Sequence, residues 1–259
     1  MRRYFTRPLA PLMVSLLEER EERTLRWCEV KFSAGPGVEG IATVVSPTSS
    51  TVERGVVLAH GGSDDGRRFF VAEAAALADQ GAAVVLPVMR IRHDAGLDAL
   101  AEDVKNAVLI ERAALDVLVD SVGAPPGSLS FLGHSAGGDL GAILSAVEPR
   151  LSRIAIFGYG SGFMTRSVRA FEASRGRLFT AEMAAITDWF DAAHFVGVDR
   201  SGQLLVQHGL RDQTVRIEEG RALFDAASAP KLWAEYDWDH GLDANSHAKK
   251  DRASFVTSP

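Results

Sequence analysis

The residues best suited to chemistry lie in the run Gly133-His134-Ser135-Ala136-Gly137. Ser135 directly follows an apolar segment, 129–132, and precedes a segment of small residues, 138–147, that predicts a helix. Glycine two residues to either side of a serine is typical of a sharp strand-to-helix turn, where the flanking backbone comes too close for side chains. Such a turn would lift the hydroxyl of Ser135 above a sheet, where it could attack a carbonyl carbon. A tight structural turn without catalysis is the alternative interpretation.

A second run of small residues, His60-Gly61-Gly62-Ser63, follows the apolar segment 55–59. Attack on a carbonyl creates an oxyanion that needs fixed hydrogen-bond donors, and losing one typically costs about 3 kcal/mol. We predict that the backbone amides of Gly62, Ser63 and Ala136 form this oxyanion hole, the last of them at a helix N-terminus. His60 is expected to brace the loop by hydrogen bonding. A simple strand-to-helix turn is the alternative for this run.

A serine hydroxyl is a poor nucleophile, so a base must accept its proton and a carboxylate must orient that base. In parallel sheets such groups lie in loops at the carboxyl ends of strands. Asp212 stands five residues after the apolar segment 203–207, and His240 follows the last predicted strand, 232–236. We therefore predict a catalytic triad of Ser135, Asp212 and His240.

Four other histidines are less suitable as the base than His240. His134 neighbours the serine, but its side chain should leave the turn in another direction, and His247 should lie within the final helix. His93 and His194 precede any suitable acid and base arrangement. Aspartates close to the base in sequence rarely reach the far side of its ring, which favours the more distant acid.

The elements that must position these residues alternate along the chain. Apolar segments interleaved with amphipathic ones predict an α/β fold with a mostly parallel sheet flanked by helices, and the first two strands form an antiparallel edge. The predicted strands are 28–32, 40–45, 55–59, 83–87, 129–132, 154–157, 203–207 and 232–236, and the predicted helices are 69–80, 96–122, 138–147, 216–227 and 242–255.

Two regions depart from this alternation. Residues 161–200 are a long, aromatic-rich interval between two strands, which predicts a cap insertion over a site, with an ordinary crossover as the alternative. Within it, Phe163, Trp189 and Phe190 are predicted to bind the substrate in an acyl pocket, although they could equally form the core of the cap. Residues 1–26 are predicted to be an N-terminal helical extension with a charged surface, and 27–259 the α/β domain.

Composition excludes several classes of protein. The net charge of −6, without a dense block of Lys and Arg, argues against nucleic acid as a partner. The apolar run at 8–17 is too short to span a bilayer. A single cysteine, Cys28, allows no intrachain disulfide, which favours a soluble protein in a reducing, cytoplasmic compartment. No metal or other cofactor is expected because His and Asp are not clustered at ligand spacing. The sequence is compatible with a homo-oligomer as well as with a monomer.

Together these residues resemble the alpha/beta-hydrolase family, in the chain order nucleophile, acid, histidine. One sequence motif is similar to that of the dienelactone hydrolase and prolyl oligopeptidase-like branch: His208-Gly209-Leu210-Arg211-Asp212-Gln213-Thr214-Val215. The resemblance covers about residues 27–255. It implies a sheet of about eight strands, an acyl-enzyme formed on Ser135 and no cofactor.

Two departures bear on the substrate that the resemblance implies. Dienelactone hydrolases use cysteine where this chain has Ser135, and oligopeptidases have a propeller domain that this sequence does not show. The expectation is therefore a serine hydrolase acting on carboxylic esters of small or medium acyl groups. An amidase, a small peptidase or an acyltransferase with the same triad is the alternative. A ligand-binding protein that keeps the fold without catalysis is a further one.

Overall fold

The computed structural model of the chain describes residues 2–6, 10–48, 51–62, 65–92, 96–199 and 202–258. Within these residues, nine strands form one sheet. Their bounds are β1 Met13–Glu22, β2 Leu25–Ser33, β3 Glu39–Pro47, β4 Arg54–Ala59, β5 Ala82–Pro87, β6 Leu129–His134, β7 Leu151–Phe157, β8 Gln203–Gly209 and β9 Lys231–Tyr236. The strand order is β1-β2-β3-β5-β4-β6-β7-β8-β9.

Eight α-helices are described between and after the strands. They are α1 Val71–Ala78, α2 Leu97–Asp116, α3 Ala136–Val147, α4 Phe163–Ser174, α5 Ala181–Trp189, α6 Ala192–Val196, α7 Ile217–Ala226 and α8 Ser246–Thr257. A π-helical turn, Val117–Val122, continues α2, and short 3-10 turns occupy Arg2–Phe5 and Arg67–Phe69.

The sheet is parallel from β5 through β9 and antiparallel where β1, β2 and β3 join it. Side chains of successive strand residues point to opposite faces, so Val57 of β4 joins a core cluster with α2 and α3, and Val56 joins one with α1 and α8. Because both faces are covered, the central strands are apolar throughout. The predicted α/β fold and its antiparallel edge are confirmed.

The N-terminal segment is the main correction to the predicted elements. The prediction of a helical extension over 1–26 is wrong for Met13–Glu22, which is strand β1 paired antiparallel with β2. Its side chains are almost all exposed, so no buried face marks it as a strand in the sequence. Pairing with the open edge of β2 decides its conformation instead. The sheet therefore has nine strands in the described residues rather than about eight.

The interval 161–200 contains three helices, α4 to α6, between β7 and β8. Asp191 fixes the start and the end of this interval to each other. Its carboxylate accepts hydrogen bonds from Ser161 Oγ at 2.8 Å, from the backbone amide of Ala193 at 2.9 Å and from the amide of Gly162. The first of these helices, α4, reaches the site described next.

Candidate active site

Ser135 occupies the sharp turn between β6 and α3 that its flanking glycines predict. Its backbone has φ +52° and ψ −118°, a conformation that non-glycine residues rarely adopt. A Cβ atom on Gly133 would lie 2.2 Å from the carbonyl oxygen of Gly137, and one on Gly137 would lie 2.1 Å from that of Ala59. Only glycine fits at either position, so the spacing in the sequence reflects close backbone packing.

Asp212 and His240 meet across the loops that follow β8 and β9. The Nδ1 atom of His240 lies 2.8 Å from Oδ2 of Asp212, whose side chain is fully buried. The other carboxylate oxygen, Oδ1, accepts hydrogen bonds from the amides of Thr214 at 2.8 Å and Val215 at 2.9 Å. This is the pairing predicted from the order of the loops along the chain.

The same hydrogen bonds keep Asp212 ionised. Burial alone would raise the pKa of Asp212, but the bonds from His240 and from the amides of Val215 and Thr214 outweigh it and hold the pKa below its usual value. A charged carboxylate at Nδ1 fixes the proton of neutral His240 on that atom. Its Nε2 atom is then free to accept a proton.

His134 connects the turn at Ser135 to the loop of His240. Its Nε2 atom lies 3.1 Å from the carbonyl oxygen of His240, and the two rings are 4.8 Å apart. Burial, followed by the proximity of His240, lowers the pKa of His134 to about 3, so its ring is neutral and donates Nε2–H to that carbonyl. The ring of His134 also stacks on that of Phe69, with the ring centroids 4.5 Å apart. His134 thus joins the loop of His240 to the turn that carries Ser135, the next residue in the sequence.

A cavity of about 310 Å³ opens beside Ser135. Gly62 and Ala136, two of the three predicted oxyanion donors, are on its wall, and Ser63 lies outside the described residues. Ala136 is the first residue of α3, so its amide has no acceptor within the helix. The remaining lining residues are Ile91, Ser135, Asp139, Tyr159, Phe163, Met164, Ser167, Val168 and Phe171.

Of the three aromatic residues predicted to bind substrate, only Phe163 lines this cavity. The structure places Trp189 and Phe190 away from the wall of this cavity, since the rings of both contact that of Tyr4 in the N-terminal turn. The Trp189 ring lies 4.9 Å from that of Tyr4 and 4.6 Å from that of Phe190, which is buried. One face of α4 forms the wall, and the spacing of Met164, Ser167, Val168 and Phe171 on a helix could have indicated it.

Two polar residues of the cavity were missed by the motifs. Asp139 is on α3, one helical turn after Ser135, and is 2% exposed; Tyr159 follows β7 and is 3% exposed. Neither oxygen of the Asp139 carboxyl has a hydrogen-bond partner among the described residues. The only signal in the sequence is an acid within a helix of otherwise small and apolar residues.

Two further buried histidines hold loops in place. His60 has Nδ1 3.0 Å from the carbonyl oxygen of Gly61, and its Nε2 accepts from the amide of Met89 at 3.5 Å. This is the bracing role predicted for it. His208 has Nε2 3.0 Å from the carbonyl oxygen of Val215, which closes the loop that carries Asp212.

A nine-stranded, mostly parallel sheet with a strained serine turn after β6, the sixth strand in spatial order, is the alpha/beta-hydrolase fold. Solved structures similar to this chain have that fold. Acetyl xylan esterase 1 from Thermoanaerobacterium sp. JW/SL YS485 matches with a TM-score of 0.76 at 16% identity, over 99% of this chain and 93% of that one. A cold-adapted esterase from an Arctic intertidal metagenomic library matches with a TM-score of 0.69 at 14% identity, over 92% and 97%.

An enol-lactonase from Burkholderia xenovorans LB400 is also similar, with a TM-score of 0.58 at 20% identity, over 87% of this chain and 99% of that one. At these identities the likeness shows the fold. Neither the protein-family models nor the curated protein sequences compared with the chain match it. Within the described ranges, no helix is both long enough and apolar enough to cross a membrane.

Proposed function

We propose that this protein is a serine esterase that hydrolyses carboxylic esters of small or medium acyl groups. The observation that carries the proposal is the 2.8 Å contact between His240 and the ionised Asp212, in a loop that His134 joins to the strained turn of Ser135. Structures with the same fold are named as esterases and an enol-lactonase, which supports ester chemistry.

In the proposed mechanism, Nε2 of His240 takes the proton of Ser135 Oγ as that oxygen attacks the carbonyl carbon of the ester. The tetrahedral oxyanion is stabilised by the amides of Gly62 and Ala136, together with that of Ser63. Protonated His240, held by Asp212, then gives its proton to the leaving alcohol, and an acyl group remains on the serine. Water activated by His240 releases the acid in the second half of the cycle.

The cavity supports the size class of the substrate. Its volume of about 310 Å³ and its largely apolar wall, with Phe163, Met164, Val168 and Phe171, suit a small or medium acyl group. Hydrolysis of amides, or transfer of the acyl group to an alcohol, would use the same three side chains. Matched ester and amide substrates and added alcohols therefore belong in the same assay.

The test is hydrolysis of p-nitrophenyl acetate and butyrate together with labelling by a fluorophosphonate probe. We expect Ser135→Ala to lower kcat by at least about 10³-fold and to abolish labelling, because the nucleophile is lost. Ser145→Ala is the matched control: Ser145 is buried on the same helix and donates its hydroxyl to the carbonyl of Ala142 at 2.6 Å. Equal rates in wild type and Ser135→Ala would contradict the nucleophile, and an unlabelled but stable wild type would favour ligand binding without catalysis.

A further inference from the structure

A buried carboxyl group without a partner lies in the cavity beside the proposed nucleophile. Asp139 is in the first turn of α3, which begins directly after Ser135, and the two residues both line the cavity. Asp139 is 2% exposed, and neither of its oxygens has a hydrogen-bond partner among the described residues. A buried polar group left unsatisfied is costly, so its retention calls for an explanation.

Among the described residues, no lysine, arginine or histidine pairs with the carboxyl of Asp139. Burial raises the pKa of Asp139 to about 8; the hydroxyl of Tyr159, which lies close to the carboxyl but outside hydrogen-bond geometry, lowers that pKa, and the charge of Asp191 raises it. The carboxylate of Asp191 is already occupied by Ser161 and by backbone amides, so it acts on Asp139 only as a like charge. At neutral pH the carboxyl of Asp139 is therefore mostly protonated, with one donor and free acceptor positions facing the cavity.

We propose that Asp139 is a substrate-binding residue whose carboxyl group hydrogen-bonds a hydroxyl group of the substrate, so that the enzyme prefers esters carrying a hydroxyl near the scissile carbonyl. The inference rests on the proposed ester hydrolysis at Ser135. It adds a specificity that a largely apolar acyl pocket alone would not have.

A hydroxyl group fits these observations better than a cationic group. A hydroxyl both donates and accepts, which matches a protonated carboxyl with the Tyr159 phenol close by. An ammonium group would have to lose its water next to Phe163, Met164 and Val168, and the desolvation of a buried ion pair can exceed its attraction. A site that hydrogen-bonds a substrate hydroxyl also discriminates strongly against an analogue without it, because its own buried group is then left unpaired.

The experiment compares esters of equal size that differ by a methyl and a hydroxyl group. On the acyl side the pair is p-nitrophenyl isovalerate and p-nitrophenyl 3-hydroxybutyrate; on the alcohol side it is propyl butyrate and ethylene glycol monobutyrate. For at least one pair we expect wild type to favour the hydroxyl ester by about 10-fold in kcat/KM, the size of one buried hydrogen bond. Asp139→Leu should reduce that ratio to about 1, whereas Asp139→Asn, whose amide donates and accepts, should retain most of it.

Glu111→Leu is the matched control. Glu111 on α2 is also fully buried, and its carboxyl oxygens also have no partner among the described residues, but it does not line the cavity. Removing it should alter stability and leave the hydroxyl preference unchanged. The proposal is overturned if wild type shows no preference in either pair or if Asp139→Leu keeps it. 2-Aminoethyl butyrate is assayed as a third ester on the alcohol side, and a larger kcat/KM for it than for ethylene glycol monobutyrate would also overturn the proposal and make the ligand a cation.

A binding measurement separates this inference from the esterase proposal. In a Ser135→Ala background, calorimetry with propyl butyrate and ethylene glycol monobutyrate should show about 10-fold tighter binding of the hydroxyl ester, lost on adding Asp139→Leu. Absence of Ser135-dependent hydrolysis would contradict the esterase proposal alone, and equal affinities would contradict the role of Asp139 alone. If Asp139→Leu does not fold, as judged by circular dichroism, Asp139→Ala replaces it.

Discussion

Two aspartates of the candidate site, Asp212 and Asp139, have buried side chains and differ in almost every other respect. The side chain of Asp212 is fully buried and accepts hydrogen bonds from His240 and from two backbone amides. Asp139 is 2% exposed and accepts none among the described residues. The pKa of Asp212 is lowered, and that of Asp139 is raised to about 8. Burial raises the pKa of a carboxyl, and the donors aimed at it decide whether that rise is overcome.

The difference separates two roles in one site. An ionised Asp212 can hold a proton on one side of His240, whereas a neutral Asp139 can donate a hydrogen bond into the cavity. Pairs of carboxyl groups whose surroundings move their pKa values apart are a recurring arrangement in enzyme active sites. Each of the two environments can be changed by replacing one atom of the aspartate side chain.

The largest effect is expected from Asp212→Asn. The asparagine amide cannot fix the proton of His240 on Nδ1 as a carboxylate does, so kcat for p-nitrophenyl acetate should fall by about 10³ to 10⁴-fold. Asp237→Asn is the control, since Asp237 is 80% exposed and pairs with Arg211 at the surface. A loss below about 10-fold for Asp212→Asn would show that this carboxylate does not orient the base.

A smaller effect is expected from Asp139→Asn, and it is a gain in thermal stability rather than a loss of activity. Asp139 binds a proton more tightly in the folded protein than in the unfolded chain, so the unfolded chain releases it first as pH rises. Wild-type stability should therefore fall between about pH 4 and pH 8 on account of this group. Asp139→Asn removes that loss, and its gain in Tm over wild type should be larger at pH 9 than at pH 4.

The control for this measurement is a carboxylate that has its partners. Asp191 accepts hydrogen bonds from Ser161, Gly162 and Ala193, so Asp191→Asn should lower Tm rather than raise it, because charge-assisted bonds are lost. Thermal unfolding measures both variants. If Tm changes in the same direction in Asp139→Asn and Asp191→Asn, the proposed difference between carboxyl groups with and without hydrogen-bond partners is contradicted.

The residues around Asp212, whose carboxylate has its hydrogen-bond partners, were predictable from the sequence. The cavity wall around Asp139, whose carboxyl has no such partner among the described residues, was not. Ser135, Asp212 and His240 each follow an apolar strand, and parallel strands bring such loops to one edge of the sheet. Gly133 and Gly137 mark a backbone contact that no other residue allows. These signals are local, so one sequence suffices to find them.

The missed features depend on groups far away in the chain. The pKa of Asp139 depends on burial and on Tyr159 and Asp191, which other elements bring near it. Trp189 is held by the N-terminal turn through Tyr4, a contact that no pattern within 161–200 contains. The strand β1 depends likewise on the free edge of β2, since its own residues bury almost nothing. Periodicity predicts which face an element buries, but not which neighbour covers it.

The smallest expected effect tests whether His134, as well as Asp212, positions His240. His134→Phe keeps a ring against Phe69 but removes the donor to the carbonyl of His240, 3.1 Å away. Losing one such bond should cost about 1 kcal/mol and lower kcat about 5-fold, with little change in KM, because the base rather than the cavity is displaced.

The same variant should also change the pH dependence of stability. The pKa of His134 is lowered to about 3 by burial and by His240, so the folded protein binds this proton less tightly than the unfolded chain. Stability from this group is present above about pH 6.5 and is lost as pH falls towards 3. Urea unfolding of His134→Phe should therefore show a shallower acid loss than wild type, while His247→Phe, at an exposed position on α8, should not. If His134→Phe changes neither the loss of stability at low pH nor kcat, then only Asp212 and its own loop position His240.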